Sequence, residues 1–262
     1  MHPGSIPGEA SKLPPCRSAS AFYTKEQAVA ALKRVDLDMN ADFERQRIKM
    51  VDGQVRTTDV TSAPILSAML EVPREAFVPA KLSSLAYIDE DIQVAEATGR
   101  QGPRYLMEPS PFAKLVQLAD VLPGDFVLDV GAGSGYSSAV LSRLASSVIA
   151  LESDAALADL AASTLARLGH DNVVVVKGEL SAGFPSEAPY DVIFVGGCIE
   201  QLPESLHKQL KEGGRLVAVE GSGNAGKAML YLKSNGIVTG RGAFNAAVKP
   251  LPGFERIAAF EF

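Results

Sequence analysis

The tightest constraint on what this chain can fold into is a rhythm that begins after Pro123-Gly124. Phe126–Val130 is a short apolar run. It is followed by Gly131-Ala132-Gly133-Ser134-Gly135 and a helical pattern that places Tyr136, Val140, Leu141 and Leu144 on one face. Val148–Leu151 predicts the next strand and Ala155–Leu168 the next helix, which Gly169 ends. Val173–Val176 is four β-branched residues in a row, as expected of a strand buried on both faces. Val192–Val195, Leu216–Val219 and Met229–Leu232 predict further strands, with a helix near Glu204–Leu210. An apolar alternation closes the chain at Arg256–Phe262. Strands separated by helices in this way predict a doubly wound, Rossmann-like α/β sheet, mostly parallel.

The front of the chain differs in composition. Residues 1–20 carry Pro3, Pro7, Pro14 and Pro15 among Gly, Ser and Ala, which disfavours any lasting helix or strand. The segment has no uninterrupted apolar stretch of the kind a secretory signal requires. A short helix is predicted next, with Thr24 and Gln27 as a capping box and Val29, Leu32 and Val35 as its stripe. Met39 offers an alternative start of translation and opens a charge-rich helix from Asn40 to about Val51. Pro64 suits the first turn of a later helix, where Ile65, Leu66, Met69 and Leu70 share a face, and Pro73 stops it. Residues 89–109 read either as a lid or binding loop or as a surface hairpin. The expected organisation is a weakly structured extension at 1–38, a helical and loop segment over the site at 39–110, and a Rossmann-like ligand-binding domain at 111–262.

Composition excludes several classes. Twenty-five basic against thirty-one acidic residues give a formal charge of −6, which argues against broad nucleic-acid or anionic-membrane binding. No apolar run is long enough to span a bilayer. Cys16 and Cys198 alone make a disulfide scaffold or cysteine zinc site improbable, and the three histidines are not paired at ligand spacing, so no metal is expected. A cytoplasmic α/β protein remains.

The glycine loop then sets the ligand class. A dinucleotide fingerprint would place glycine at position 136, where this chain has Tyr136, and that disfavours a nicotinamide oxidoreductase. Instead the loop reads Asp129-Val130-Gly131-Ala132-Gly133-Ser134-Gly135. A carboxylate at Asp129 would repel a pyrophosphate and suits the ammonium of an amino acid. Glu152, 21 residues after Gly131, ends the second strand, where a carboxylate can accept hydrogen bonds from both hydroxyls of a ribose. Gly178-Glu179 follows the third strand and can present backbone and carboxylate to an adenine edge. The three converge on the carboxyl edge of the sheet, where such folds bind ligands.

These residues carry a resemblance. DVGAGSGYSSAVLS, the Glu152 that ends ALES, and VVVVKGE are similar to the S-adenosylmethionine-binding motifs of class I methyltransferases. RTTDVTSAPILSAMLEVPREAFVP, AYIDED, LGHDNV, APYDVIFVGG and LKEGGRLVAV resemble, in order, segments of protein-L-isoaspartate O-methyltransferases over roughly residues 45–220. The resemblance implies a methyl donor held by Asp129, Gly131, Gly133, Gly135, Glu152, Gly178 and Glu179. It also implies an acceptor: the free carboxylate of an isoaspartyl residue in damaged protein, or a related peptide or small carboxylate. A donor-binding sensor or adaptor without transferase activity is the alternative.

The chain departs from the family at one segment. Where the family carries Gln-Thr-Ile-Ser-Gln-Pro, with the serine regarded as the active-site residue, this chain reads Arg104-Tyr105-Leu106-Met107-Glu108-Pro109. Met107 thus stands in the serine's place, and a thioether cannot donate a hydrogen bond to a carboxylate. Glu108 would repel one, and Arg104 is a candidate clamp for it. Cys198 reads as a small buried thiol, His170 and His207 as structural or solvated, Asp191 as a brace for its strand, and Gly221–Gly226 as a flexible hairpin.

Overall fold

The computed structural model describes residues 39–98, 102–222 and 225–255. By its internal contacts the chain divides into Met1–Ala41 and Asp42–Phe262. The predicted helix around residues 24–35 and the closing alternation at 256–262 lie outside the described residues.

The charge-rich helix α1 runs over residues 39–50 and gives way at Val51, as expected. It loosens into a π turn at Val51–Val55 and tightens into a 3-10 turn at Arg56–Thr58, with Val51 and Val55 buried. Helix α2, Ala63–Glu71, has Pro64 in its first turn and buries Ile65, Leu66 and Met69. Within residues 89–109, β1, Ile92–Ala95, pairs antiparallel with β2, Arg104–Leu106, and β2 is largely buried rather than a surface strand.

The Rossmann-like part then follows in chain order: α3, Pro109–Ala119; β3, Phe126–Val130; α4, Tyr136–Ser142; β4, Ser147–Glu152; α5, Ala155–Arg167; β5, Val173–Lys177. Strand β6, Tyr190–Ile199, helix α6, Glu204–Lys208, and strands β7, Leu210–Ser222, β8, Ala225–Ser234, and β9, Ile237–Ala246, complete it. The sheet order is β5-β4-β3-β6-β7-β8-β9. Pairs from β5 through β7 are parallel, and β8 and β9 add antiparallel ladders. Side chains alternate across each strand. Val127, Val148, Val192 and Val217 therefore enter one core, under α2, α3 and α4, while Leu128, Ile149, Ile193 and Leu216 enter the other.

Two expectations need correction. Val173–Val176 is not buried on both faces: β5 is the sheet's edge, and Val174 is 56% exposed. The helix at 204–210 stops at Lys208, because Leu210 already pairs with Tyr190 in the sheet. Asp191 does brace its strand, since Oδ2 accepts the Phe126 N–H at 3.0 Å and Oδ1 binds Lys211 at 2.8 Å.

Candidate active site

The turn between β3 and α4 passes through Gly131, Gly133 and Gly135, each with positive φ. Its first two amides, Gly131 and Ala132, donate to the Leu151 carbonyl at 2.9 and 3.1 Å, tying the turn to the end of β4. Gly131 has φ +82° and no room for a side chain: a Cβ there would lie 2.7 Å from Leu251 Cδ1. Gly135 caps α4 and lets that helix close on α5, where a Cβ would meet Ala161 at 3.2 Å.

Asp129 is fully buried at the end of β3. Its Oδ2 accepts the Ser137 and Ser138 hydroxyls at 2.6 Å each, whereas Oδ1 has no hydrogen-bond partner among the described residues. Burial pushes the carboxyl up to about 6, against the pull of the two serines. An orphaned, buried carboxylate oxygen is costly unless a cation meets it. A ligand ammonium would favour the ionised form, so binding should release a proton. We therefore expect S-adenosylhomocysteine affinity to fall as pH drops below 6, by up to about tenfold per unit. Calorimetry across pH 5–7.5 should show this dependence, and Asp129→Asn should flatten it.

Glu152 is likewise buried. Oε2 accepts the Gly133 N–H at 2.7 Å, and Oε1 accepts the Ser153 and Asp154 N–H groups at 2.8 and 2.9 Å. Oε1 also meets Arg104 Nη1 at 2.5 Å, and Arg104 Nη2 donates to the Gly131 carbonyl at 3.2 Å. Arg104 is thus brought into the group from β2 and is 5% exposed. Met107 is buried and its carbonyl accepts Arg74 Nη2 at 2.7 Å.

A small cavity, of about 20 Å³, opens between the glycine turn, Met107, Phe112, Tyr136 and Phe194. A second, of about 10 Å³, lies between Asp91, Arg104, Met107 and the segment Val248–Leu251. Met107 lines both. Gly178 donates its N–H to the Glu152 carbonyl at 3.1 Å, while Glu179 is exposed and accepts the Ser181 hydroxyl. Neither lines these cavities.

The model of the family described as protein-L-isoaspartate(D-aspartate) O-methyltransferase (PCMT) matches residues 45–250. The chain belongs to this family. A relative from Rhodopseudomonas palustris (strain HaA2), named protein-L-isoaspartate O-methyltransferase 1, is 38% identical over 195 residues, covering 74% of this chain and 77% of that one. Another of that activity name, from Methanoculleus marisnigri, is 35% identical over 201 residues, 76% of this chain and 89% of its own. A solved protein-L-isoaspartate O-methyltransferase superposes with TM-score 0.63 at 29% identity, over 74% of this chain and 62% of that one. A Plasmodium falciparum structure in complex with S-adenosyl-L-homocysteine superposes with TM-score 0.66 at 21% identity, over 79% of this chain and 98% of that one, and bears on the fold.

The cofactor of this PCMT-family chain is S-adenosyl-L-methionine. The residues fit such a donor: Asp129 offers an unsatisfied buried carboxylate oxygen beside the glycine turn. Sequence reasoning missed several contributors. Ser137 and Ser138 were visible as a hydroxyl pair in GYSSAV but gave no sign of facing Asp129. Arg74, which holds the Met107 carbonyl, sits 33 residues away from it. Leu251 reaches the glycine turn because Cys198 N–H donates to Lys249 O and Leu251 N–H to Cys198 O, at 2.9 and 2.7 Å. Cys198 itself is buried, and burial raises its thiol.

Proposed function

We propose that this PCMT-family protein transfers the methyl group of S-adenosyl-L-methionine to a carboxylate of isoaspartyl residues in damaged protein, as a step of protein repair. Buried Asp129 and Glu152, flanking a positive-φ glycine turn at adjacent strand ends in a chain of this family, carry the reading. Asp129 would meet the donor's ammonium and Glu152 its ribose hydroxyls. Gly131, Gly133 and Gly135 would shape the turn, and Gly178-Glu179 would serve the adenine. Bound there, the donor supplies a methyl carbon made electrophilic by its sulfonium.

The acceptor carboxylate is already an anion at neutral pH, so no residue needs to remove a proton. What the chain must do is hold the carboxylate in line and keep water out, which can supply about 7–11 kcal/mol of the barrier. Met107 gives an apolar wall where the family has a hydroxyl donor. One such donor is typically worth about 10²–10³ in rate, so its loss slows the reaction without abolishing it. The surroundings are otherwise acidic. Asp91 and Glu108 both have carboxyls raised first by burial, and Lys249 is the nearby counter-charge. Arg104 and Lys249 are the cations available to an acceptor.

We further propose that residues 39–110 form the cover of the site over the donor domain at 111–262, and that the protein works in the cytoplasm on protein or peptide carboxylates. A buried, unpaired Cys198 accords with a reducing compartment. Among the described residues no helix is long and apolar enough to cross a membrane.

The test is transfer of labelled methyl from S-adenosylmethionine to an isoaspartyl peptide, with the aspartyl isomer as control. Base-labile label in the isoaspartyl peptide alone is the expected result. Donor binding without label in the peptide, or in aged cell protein, would instead leave a sensor or adaptor.

A further inference from the structure

Glu152 is the carboxylate best placed for the ribose, yet both its oxygens are already engaged within the protein. Three of its partners, the amides of Gly133, Ser153 and Asp154, belong to the backbone of the site and stay with it. The Ser153 hydroxyl, 3.4 Å from Oε1, sits on the adjoining residue, and the Arg104 guanidinium is a distant side chain that can leave. Arg104 also lines the second cavity, together with Met107, Lys249 and Asp91. It therefore stands between the donor carboxylate and the place where an acceptor carboxylate must come.

We infer that Arg104 is a donor-responsive carboxylate-binding residue: it neutralises Glu152 before the donor arrives, and donor binding turns its guanidinium into the cavity beside Met107 to clamp the acceptor. The physical logic is exchange. Ribose hydroxyls take over the Oε1 position that Nη1 holds, and the donor's ammonium adds positive charge that repels a guanidinium at close range. Once released, a buried guanidinium needs another anion, because leaving such a charge unpaired is strongly unfavourable. A planar fork suits a carboxylate bidentately. The two ligands are then coupled: the donor tightens the acceptor by the same factor as the acceptor tightens the donor. The acceptor half rests on the isoaspartyl reading above, and the donor half does not.

The experiment uses the intact protein and phenylglyoxal, an arginine-specific reagent, with the modified residue located by mass spectrometry. Arg104 should react slowly alone and at least about fivefold faster with saturating S-adenosylhomocysteine. Added isoaspartyl peptide should slow it again. In parallel, calorimetry on Arg104→Gln should show S-adenosylhomocysteine binding several-fold tighter than in the wild type, since no guanidinium competes for Glu152. Unchanged or reduced labelling with S-adenosylhomocysteine overturns the inference, and so does weaker donor binding by Arg104→Gln. A peptide that accepts methyl but leaves Arg104 reactive overturns the clamp. A peptide that accepts no methyl while the donor still exposes Arg104 overturns the acceptor reading and upholds the donor-driven release.

Discussion

Glu152→Gln is expected to weaken S-adenosylhomocysteine binding by about 10²-fold. The carboxylate ends β4 facing three backbone N–H groups and a guanidinium. An amide keeps one accepting oxygen and turns the other position into a donor, which then points at groups that also donate. Hydrogen bonds from ribose hydroxyls to a charged acceptor contribute about 1.5–3 kcal/mol each, so losing most of two amounts to roughly 3 kcal/mol, about two decades in Kd. The change also strips Arg104 of its counter-charge while it is buried, and breaking one side of such a pair typically costs about 3–5 kcal/mol. The substitution should therefore lower the melting temperature as well as the affinity. Calorimetry and thermal denaturation measure the two separately. A Kd within threefold of the wild type would mean that Glu152 is not the ribose carboxylate.

The second large effect is expected at a residue that touches no ligand. Arg74 is completely buried: Nε donates to the Ala86 carbonyl at 2.8 Å and Nη2 to the Met107 carbonyl at 2.7 Å. Its guanidinium lies 4.8 Å over the Tyr136 ring, and burial lowers its pKa from the ordinary arginine value. Arg74→Met fills much of the volume and leaves both carbonyls without a donor, about 1–3 kcal/mol each, while sparing the cost of a desolvated charge. A net destabilisation of about 2–4 kcal/mol is expected, seen as a lower urea midpoint at unchanged slope. Because Met107 hangs from Arg74, the acceptor KM should rise with little change in donor affinity. A variant as stable as the wild type would show that water replaces the guanidinium at both carbonyls.

What could be read along the chain was what is encoded locally. The parallel strands announced themselves as runs of Val, Ile and Leu because both faces of the inner strands are buried. Val173–Val176 carries the same signal at the sheet's edge, where Val174 faces solvent, since composition does not report a strand's place in the order. Strand β9 gave no signal because Gly240 and Gly242 interrupt it. At Gly240 the packing requires a glycine, since a Cβ would lie 2.4 Å from Tyr231 Cε1. In the site, Asp129 and Glu152 were legible because a strand end followed by a glycine turn fixes where a carboxylate must stand. Arg104 stood out as a candidate carboxylate clamp, but not as the partner of Glu152, 48 residues away. No periodicity encodes a contact made by the docking of a hairpin on a sheet.

The contact between Leu251 and the glycine turn has a consequence for how such a sequence can change. The isobutyl group occupies the volume that any side chain at position 131 would need, so the two sites are not independent mutational targets. Gly131→Ala should be badly tolerated alone and partly rescued by Leu251→Ala, the remainder being the strain of alanine at φ +82°. Two stretches separated by most of the fold are thereby bound to drift together.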